Sequence, residues 1–333
     1  MQEDIRISIC IPTYNKSDTI EYTILSVIKQ SYSKWELLII DDSDNTYTEK
    51  LVEKFSSFDS RIKYIKNKER LGLVRNWNEC ITQSNYDYVY ILHHDDLLMP
   101  GVLASYNNFS NEYPQCGLIH SNCNYITLPY YKKTIGITQD KPIIQKGDEV
   151  VEKILFNNNL ACSSVMVKRE CYNNLGGFDE SAWVSPDWEM WARIGKDYDF
   201  GHLDIIGCSV IIHNKNTHLS SIEVDIFYNQ QQYYYNKIIS YFSEKYNIEN
   251  KLTIKKAKDN LRETILSLSI QYSIHLDFLT ALSYLKKNRY YKLQKFPYIF
   301  IKNILKSFYL ILTERKTNYK SIYESIFLNN NEN

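Results

Sequence analysis

Pairs of adjacent carboxylates follow two apolar segments of the chain. Asp41 and Asp42 follow one such run, and Asp95 and Asp96 follow residues 88–92 after two histidines. Short runs rich in β-branched and aromatic residues are typical of buried strands, and open α/β sheets place functional groups beyond the carboxyl ends of their strands. Carboxylates there can hold a divalent metal ion and, through it, a diphosphate. The alternative for Asp95 and Asp96 is a solvated turn that caps the next helix.

The elements that must position these carboxylates alternate along the first hundred residues. After the first predicted strand, Ile20, Ile24, Leu25 and Ile28 recur with the spacing of a helix. Four strands that alternate with helices predict a parallel sheet with right-handed crossovers. The predicted strands of this part are residues 6–12, 35–40, 61–65 and 88–92.

Beyond residue 101 the pattern is less regular. Residues 125–148 carry two prolines and mixed polarity, and we interpret them as an irregular excursion. Gly176 and Gly177 predict a loop that needs glycine dihedrals, and Pro186 predicts the first turn of a helix. The further strands predicted here are residues 117–121, 162–167 and 205–212.

The charge of the 333-residue chain is zero overall but unevenly distributed. Residues 225–333 hold 17 basic and 9 acidic residues, so this part carries +8 and the rest −8. The same part has a helical pattern throughout, dominated by Tyr, Lys and Ile. The shift in composition predicts two domains, an α/β domain at 1–222 and a helical, basic, Tyr-rich C-terminal extension at 223–333.

Residues 298–313 are predicted as an amphipathic helix, with Lys302 and Lys306 on one face and apolar residues on the other. Basic residues interleaved with aromatic ones precede it at 286–296. Such a combination suits an anionic membrane surface. The alternatives are a helical bundle packed on the first domain and a homodimer formed through the C-terminal helices. No recognisable nucleic-acid-binding module is present, so we expect no nucleic-acid partner.

The seven cysteines are scattered without a Cys-x-x-Cys pair. This predicts reduced, buried thiols and neither a disulfide framework nor a structural zinc site. The N-terminal residues are acidic and lack the apolar core of a signal peptide, and no apolar run approaches the roughly 20 residues that span a bilayer. We expect a cytoplasmic protein, peripheral on the inner face of the cytoplasmic membrane if the basic extension binds lipid.

Six short motifs occur in an order that resembles the family 2 glycosyltransferases of the GT-A fold. They are Ile-Cys-Ile-Pro-Thr-Tyr-Asn15, Glu-Leu-Leu-Ile-Ile-Asp-Asp-Ser43, Leu-Gly-Leu-Val-Arg-Asn76, His-Asp-Asp96, Gly-Gly-Phe-Asp-Glu180 and Asp-Trp-Glu-Met-Trp191. Each motif alone is a weak signal, whereas six in this order are a specific one. The resemblance covers about residues 5–220. It implies the nucleotide-diphospho-sugar transferase (GT-A) fold, a mainly parallel central sheet flanked by helices.

The resemblance implies where the nucleotide of the donor binds. A turn that carries an aromatic residue and a carboxylate that accepts a base N–H suit this role, and a helix N-terminus favours phosphate groups. For Arg75, capping of a surface helix is the alternative. The residues at the implied nucleotide-binding positions are Pro12, Thr13, Tyr14, Asn15, Asp42, Gly72, Arg75, Asn76 and Asp95.

The resemblance also implies a divalent metal ion, Mg²⁺ or Mn²⁺, at the Asp-x-Asp motif of the family. Asp96 is the main candidate ligand, Asp95 is the second, and His213 lies where some members offer a further ligand. The chain departs from the motif because His93 stands where many members carry the first Asp. This departure leaves open whether the chain requires a metal. We interpret His93 and His94 as supporting residues rather than ligands.

Asp187 matches the catalytic base of the family. A general base of this kind is a carboxylate near a helix start that faces a cleft and takes a hydroxyl proton. The alternative is that Asp187 only interacts favourably with the helix dipole. Glu189 is a weaker candidate for the same role. Trp188 and Trp191 suit stacking on sugar rings and packing in the core equally well.

As a whole, the resemblance implies an inverting transfer of a sugar from a nucleotide-diphosphate donor to a hydroxyl of a glycan or lipid-linked saccharide. UDP-sugars are the commonest donors in the family, and bacterial surface-polysaccharide synthesis is the implied setting. Two alternatives stay open. A sugar-phosphate nucleotidyltransferase would share the strand-end carboxylates but has no use for a base at Asp187. A non-catalytic nucleotide-sugar binding module would fit the departure at His93.

Overall fold

The computed structural model describes residues 4–15, 17–128, 132–136, 143–154, 158, 160–213 and 318–328, together with 229–230, 233–234, 236–238 and 240–241. Its strands are β1 (Ile7–Thr13), β2 (Trp35–Asp41), β3 (Ile62–Lys66), β4 (Tyr88–Ile91), β5 (Leu97–Leu98), β6 (Cys116–Thr127), β7 (Lys132–Gly136), β8 (Ile143–Gln145), β9 (Val165–Lys168) and β10 (Asp199–Ile212). Its α-helices are α1 (Ser17–Ile28), α2 (Tyr47–Ser56), α3 (Leu73–Gln83), α4 (Val102–Glu112), α5 (Gly147–Ile154), α6 (Arg169–Leu175), α7 (Pro186–Asp197) and α8 (Tyr319–Phe327).

The described strands form one mixed sheet in the order β3-β2-β1-β4-β9-β6-β10-β5, with β7 beside β6 and β8 beside β10. β3, β2, β1 and β4 are parallel, as their alternation with helices predicts. β9 pairs antiparallel with both β4 and β6, and β10 runs parallel to β6. The predicted α/β fold with a central sheet flanked by helices is confirmed. The sheet is mixed where a mainly parallel one was expected, because antiparallel pairings occur in the part of the chain where the regular alternation ends.

The centre of the sheet is covered by helices on both faces. All seven residues of β1 are buried, as are all seven of β2. Because side chains alternate between the two faces of a strand, Ile9 and Ile11 pack with Ile20 of α1 on one face. Cys10 packs with Trp77 of α3 on the other. Burying one aliphatic side chain of this size contributes about 1.5–3 kcal/mol, so both helix layers are held firmly against the strands that position the site.

The structure differs from the sequence prediction over residues 125–148. The described residues of this segment are regular: β6 continues to Thr127, β7 pairs with it, and β8 pairs with β10 around Gly201. α5 then begins at Gly147, where a Cβ atom would lie only 2.3 Å from the carbonyl oxygen of Gly195 in α7. These pairings depend on partners far along the chain, which local polarity and prolines do not reveal.

Short parts of the extension predicted at 223–333 lie among the described residues. Tyr234 and Ile238 are buried in the same core cluster as Trp191 of α7. α8 packs against α1, with the rings of Tyr22 and Tyr319 5.5 Å apart. The boundary between two domains stays a prediction. The sequence predictions for residues 286–296 and 298–313 concern residues outside the described ones.

All seven cysteines are described, and they are buried and free of disulfide bonds. The prediction of buried, unpaired thiols is therefore confirmed. Among the described residues, no helix combines the length and the apolar character needed to cross a membrane.

Candidate active site

The carboxyl ends of β1, β2 and β4 lie side by side at one edge of the sheet. Thr13 at the end of β1 is paired with Asp41 at the end of β2, and Cys10 of β1 is paired with Ile91 of β4. The turn after β1, Asp42 after β2 and the histidines and carboxylates after β4 therefore emerge at the same edge. Parallel pairing is what brings these distant parts of the chain together.

The turn after β1 is held against the loop after β2. Asn15 has a φ of 51°, a left-handed conformation that asparagine tolerates better than most residues. Its side-chain oxygen accepts a hydrogen bond from the backbone N–H of Asp44 at 3.2 Å, and the Tyr14 hydroxyl donates to the Asp44 carboxylate at 3.0 Å. Pro12 and Thr13 are buried, so Tyr14 and Asn15 are the accessible members of the nucleotide-binding set in this turn.

Asp42 is buried and binds the loop that leads into α3. Its carboxylate accepts hydrogen bonds from the backbone N–H groups of Leu71 at 2.8 Å and Gly72 at 2.7 Å, and from the Asn67 amide at 2.9 Å. Gly72 has a φ of 79°, which favours glycine. The Asn67 amide also donates to the side-chain oxygen of Asn76 at 2.9 Å. Asp42 and Asn76 thus hold this loop in place, and a nucleotide-binding role for either stays a prediction.

Two arginines near this loop differ in what they contact. Arg75 is exposed on the first turn of α3 and forms an ion pair with Glu69 at 3.2 Å. The guanidinium of Arg70 lies 4.1 Å from the centroid of the Tyr14 ring, within the range of a cation–π interaction. Arg70 is therefore a candidate nucleotide-binding residue that the sequence analysis missed. Its position directly before the Leu-Gly-Leu-Val-Arg-Asn motif was the available signal.

Asp96 is buried and joined to two other parts of the sheet. Its Oδ2 accepts a hydrogen bond from the Ser163 hydroxyl at 2.5 Å, and its Oδ1 accepts one from the backbone N–H of Ile211 in β10 at 3.0 Å. Burial raises the pKa of Asp96, and the neighbouring Asp95 carboxylate raises it further. A cation at this corner would offset the cost of keeping two adjacent buried carboxylates ionised.

Asp95 is paired with imidazole groups. Its Oδ2 lies 3.1 Å from Nε2 of His213 and 3.8 Å from Nε2 of His94. Burial by itself raises the pKa of Asp95, but His94, the hydrogen bond with His213 and the nearby His93 together hold it below its ordinary value. The imidazole groups therefore favour the charged form of Asp95. His213 lies directly after β10 in contact with Asp95, and its role as a metal ligand stays a prediction.

His93, Asp95 and Asp96 form a group that fits a divalent metal ion. One candidate ligand atom from each of them lies within 4.8 Å of the others. Carboxylates suit Mg²⁺ and Mn²⁺, whereas an imidazole is a more usual ligand of Zn²⁺, Fe²⁺ or Ni²⁺. The geometry therefore makes His93 a candidate ligand and not only a supporting residue. Its ring is also held by Trp77, with the two centroids 5.2 Å apart.

Asp187 lies in the first turn of α7, directly after Pro186. The Asn158 amide donates to its Oδ2 at 3.4 Å. Burial raises the pKa of Asp187 to about 6, although hydrogen bonds from the backbone N–H groups of Trp188 and Asp187 and from Asn158 act in the opposite direction. A carboxyl group with a pKa close to neutrality is suited to take a proton from a hydroxyl group.

The short segment before β9 contacts both Asp187 and the corner that carries Asp96. Asn158 binds Asp187, and Ser163 binds Asp96. Between them lies the buried thiol of Cys162, whose pKa is raised by burial and then by the charges of both Asp187 and Asp96. Asp187 and Asp96 therefore both lie near the Cys162 thiol, and a single cleft that contains both carboxylates stays a prediction.

The other acidic and aromatic candidates of α7 have structural partners. Glu189 is fully buried and accepts a hydrogen bond from the Tyr241 hydroxyl at 2.5 Å. Trp188 packs against the ring of Tyr234, with centroids 4.1 Å apart, and Trp191 is buried in the core. Packing in the core accounts for both tryptophans, and Asp187 is the remaining candidate base in this helix.

Comparison with known proteins shows where the chain has relatives. Residues 8–132 match the family described as Glycosyl transferase family 2. Over 231 residues the chain is 27% identical to the UDP-Glc:alpha-D-GlcNAc-diphosphoundecaprenol beta-1,3-glucosyltransferase WfgD of Escherichia coli, covering 68% of this chain and 82% of that protein. Over 108 residues it is 30% identical to the GalNAc(5)-diNAcBac-PP-undecaprenol beta-1,3-glucosyltransferase of Campylobacter jejuni, covering 32% of this chain and 35% of that protein.

A solved structure shares the fold. The structure of S. aureus TarS 1-349 in complex with UDP-GlcNAc superposes with a TM-score of 0.55 at 15% identity, covering 91% of this chain and 90% of that one. At this identity the likeness concerns the fold alone. The matched family segment, residues 8–132, contains the turn after β1, Asp42 and the group formed by His93, Asp95 and Asp96.

Proposed function

We propose that this chain, which belongs to the family 2 glycosyltransferases of the GT-A fold, transfers one sugar from a UDP-sugar donor to a hydroxyl of a lipid-linked saccharide in surface-polysaccharide synthesis. Similarity to enzymes named for undecaprenol-linked substrates supports this acceptor class. The observation that supports this function most directly concerns Asp187, whose pKa is raised to about 6. Asn158, which binds Asp187, belongs to the same segment of the chain as Ser163, which binds Asp96.

The donor binds, in this proposal, at the edge formed by β1, β2 and β4. Tyr14 and Asn15 are accessible there, and Asp42 holds the neighbouring loop through two backbone N–H groups. Arg70 and Arg75 add positive charge beside the site. Cationic side chains near a diphosphate stabilise the charge that develops as the leaving group departs.

His93, Asp95 and Asp96 would hold the divalent metal ion, Mg²⁺ or Mn²⁺. When bound, the metal ion supplies positive charge to the diphosphate leaving group. The hydrogen bonds from Ser163 and from the Ile211 backbone keep the Asp96 carboxylate in one orientation. Residues that orient a ligand in this way tune its affinity for the metal.

Asp187 acts as the general base that takes the proton of the acceptor hydroxyl while the oxygen attacks the anomeric carbon. The C–O bond to the acceptor forms as the bond to the diphosphate breaks, and attack from the opposite face inverts the configuration. Pro186 and the hydrogen bond from Asn158 hold the carboxylate at the start of α7. A raised pKa makes this carboxylate a stronger base than an ordinary aspartate.

The test of this function is the release of nucleoside diphosphate from UDP-, GDP- and dTDP-sugars in the presence of Mn²⁺ and an undecaprenol-linked saccharide. We expect release that depends on the acceptor, and a product whose anomeric configuration, measured by NMR, is opposite to that of the donor. Retained configuration would contradict the mechanism. Incorporation from a nucleoside triphosphate and a sugar phosphate would instead indicate the nucleotidyltransferase, and donor binding without release the non-catalytic module.

We also propose that the basic segment 286–296, which lies outside the described residues, binds anionic lipid headgroups on the inner face of the cytoplasmic membrane. Each basic residue near such a surface contributes about 1 kcal/mol. Replacing all five by glutamine should therefore lower partitioning onto phosphatidylglycerol vesicles at least roughly 100-fold. Liposome flotation measures this effect. The five residues to be replaced are Lys286, Lys287, Arg289, Lys292 and Lys295.

A control variant with the same change of charge separates the segment from net charge alone. The residues that it replaces by glutamine are Lys251, Lys255, Lys256, Lys258 and Arg262. We expect this variant to float like the wild type on anionic vesicles, and neither protein to float on phosphatidylcholine alone. Equal, salt-insensitive partitioning of all three proteins would contradict the membrane proposal. A mass of two chains in light scattering would then favour the homodimer.

A further inference from the structure

The last described helix of the chain covers the corner that carries Asp95 and Asp96. α8 begins after Asn318, whose side chain caps it by accepting a hydrogen bond from the Ser321 N–H at 3.0 Å. Its apolar face packs on Leu97, which directly follows Asp96 in the chain. The same cluster contains Ile211, whose backbone N–H binds Asp96. A helix from the far end of the sequence thus forms the wall behind this carboxylate.

A chain of two hydrogen bonds joins α8 to the backbone that carries the carboxylates. The hydroxyl of Thr23 in α1 donates to the carbonyl oxygen of His94 at 2.9 Å. The Tyr319 hydroxyl lies 3.3 Å from the same Thr23 oxygen. Because Thr23 has a single hydroxyl proton and gives it to His94, Tyr319 must be the donor to Thr23. Hydrogen bonds arranged in such a chain strengthen one another.

We propose that Tyr319 is a positioning residue for the group formed by His93, Asp95 and Asp96. Through the Thr23 hydroxyl it holds the His94 carbonyl and therefore the backbone of Asp95 and Asp96. The expected effect of Tyr319 on kcat rests on the proposed function. It makes α8 part of the catalytic unit, because the hydrogen bond from Tyr319 to Thr23 comes from outside residues 1–222.

The surroundings of Tyr319 support this role. The residue is buried and its ring lies 5.5 Å from that of Tyr22, so packing restricts the position of its ring. Burial raises the pKa of Tyr319, the hydrogen bond with Thr23 lowers it, and the charges of Asp95 and Asp96 raise it further. The hydroxyl therefore keeps the proton that it donates.

Tyr323 provides a matched control in the same helix. Its ring packs on the same Tyr22 at a centroid distance of 5.4 Å. Its hydroxyl is buried and has no hydrogen-bond partner within the described parts of the chain. The variants Tyr319→Phe and Tyr323→Phe therefore remove the same atom from the same packing environment, but only the first removes a donor to Thr23.

The first test is amide hydrogen exchange of the full-length protein without metal or substrate. We expect Tyr319→Phe to lower the protection of the Asp96 amide, which binds the His93 carbonyl at 3.1 Å, by roughly three- to tenfold, the effect of one buried hydrogen bond. Tyr323→Phe should leave it unchanged. Adding Tyr319→Phe to Thr23→Val should lower the protection no further, because Tyr319 acts through the Thr23 hydroxyl.

The second test has two measurements. Electron paramagnetic resonance measures the binding of Mn²⁺ alone, and release of nucleoside diphosphate from the donor gives kcat. We expect losses of the same three- to tenfold in Tyr319→Phe and none in Tyr323→Phe. Equal exchange in the two variants, or additive effects in the double variant, would overturn the positioning role. Altered amide hydrogen exchange together with unchanged Mn²⁺ binding and kcat would overturn it as well. If the wild type does not turn over the donor, the proposed function is contradicted instead. Amide hydrogen exchange still decides whether Tyr319 holds the backbone of Asp95 and Asp96.

Discussion

Asp187→Asn should lower kcat by roughly 10²–10⁴-fold, the usual contribution of a general base, with little change in the affinity for the donor. Asparagine keeps the shape of the side chain and an oxygen that can accept from the Asn158 amide, but it cannot take a proton. Steady-state release of nucleoside diphosphate gives kcat, and titration with the nucleotide sugar gives the donor affinity.

Asp197→Asn is the matched control because Asp197 is an exposed residue at the other end of α7. The same substitution there should leave kcat within about twofold of the wild type, since surface changes away from special features have small effects. Near-normal kcat in Asp187→Asn would show that another group takes the proton. A loss of donor affinity without a loss of kcat would make Asp187 a binding residue.

The pH dependence of the wild type follows from the same carboxylate. Burial raises the pKa of Asp187 to about 6, and the base acts only when deprotonated. In the free enzyme kcat/KM should therefore rise with pH through about 6 and then level off, whereas an unperturbed aspartate would place this limb near pH 4. The residual activity of Asp187→Asn should lack the limb at pH 6.

Stability should change in the opposite direction to activity. A pKa raised from 3.8 to about 6 in the folded state means that ionised Asp187 destabilises the fold. The destabilisation is absent below the unfolded pKa and complete above the folded pKa. At about 1.36 kcal/mol per pKa unit, Asp187→Asn should raise the free energy of unfolding by roughly 1–3 kcal/mol at pH 8. Urea unfolding at pH 8 and pH 3.5 measures this, and an equal difference at both pH values would contradict it.

Asp96→Asn should weaken Mn²⁺ binding at least roughly 100-fold, because even residues that only orient a metal ligand contribute 10–100-fold. The asparagine oxygen can still accept from the Ile211 N–H, and its amide can donate to the Ser163 hydroxyl. The fold should therefore persist, and it should gain stability, since burial and Asp95 raise the pKa of Asp96. Electron paramagnetic resonance of free Mn²⁺ measures binding without substrate, and kcat should fall with it.

Asp204→Asn is the corresponding control, since Asp204 is an exposed carboxylate of β10 that binds Asn122 at 3.1 Å. It should leave Mn²⁺ binding unchanged. Unaltered binding in Asp96→Asn would remove the group formed by His93, Asp95 and Asp96 as the metal site. A loss in His93→Ala together with recovery in His93→Asp would establish that His93 occupies the place of the first carboxylate.

The sequence by itself determined the parallel half of the sheet and the residues at its edge. Strand–helix alternation in this part of the chain is a local signal, since β1, β2 and β3 are each followed by a helix before the next strand begins. Residues at the carboxyl ends of such strands must share one edge. Asp42, Asp95 and Asp96 could therefore be placed together from the pattern alone, whereas the resemblance to the family added Tyr14.

Tertiary structure decided what the local pattern does not encode. β7 and β8 exist because β6 and β10 offer them edges, and no periodicity within residues 125–148 reports those distant partners. His93 became a candidate ligand only when its ring nitrogen was found near both carboxylates. Arg70 gained its role from the position of the Tyr14 ring.

The electrostatics of the site were likewise decided by the fold. Asp187 and Asp197 are the same residue type in one helix, yet only Asp187 is partly buried beside Cys162 and Asn158 and has its pKa raised to about 6. Tyr319 meets Thr23 across nearly the whole length of the chain. Residue type and spacing determine which groups can do chemistry; burial and long-range contacts, which depend on all the elements at once, determine the protonation and position of each group.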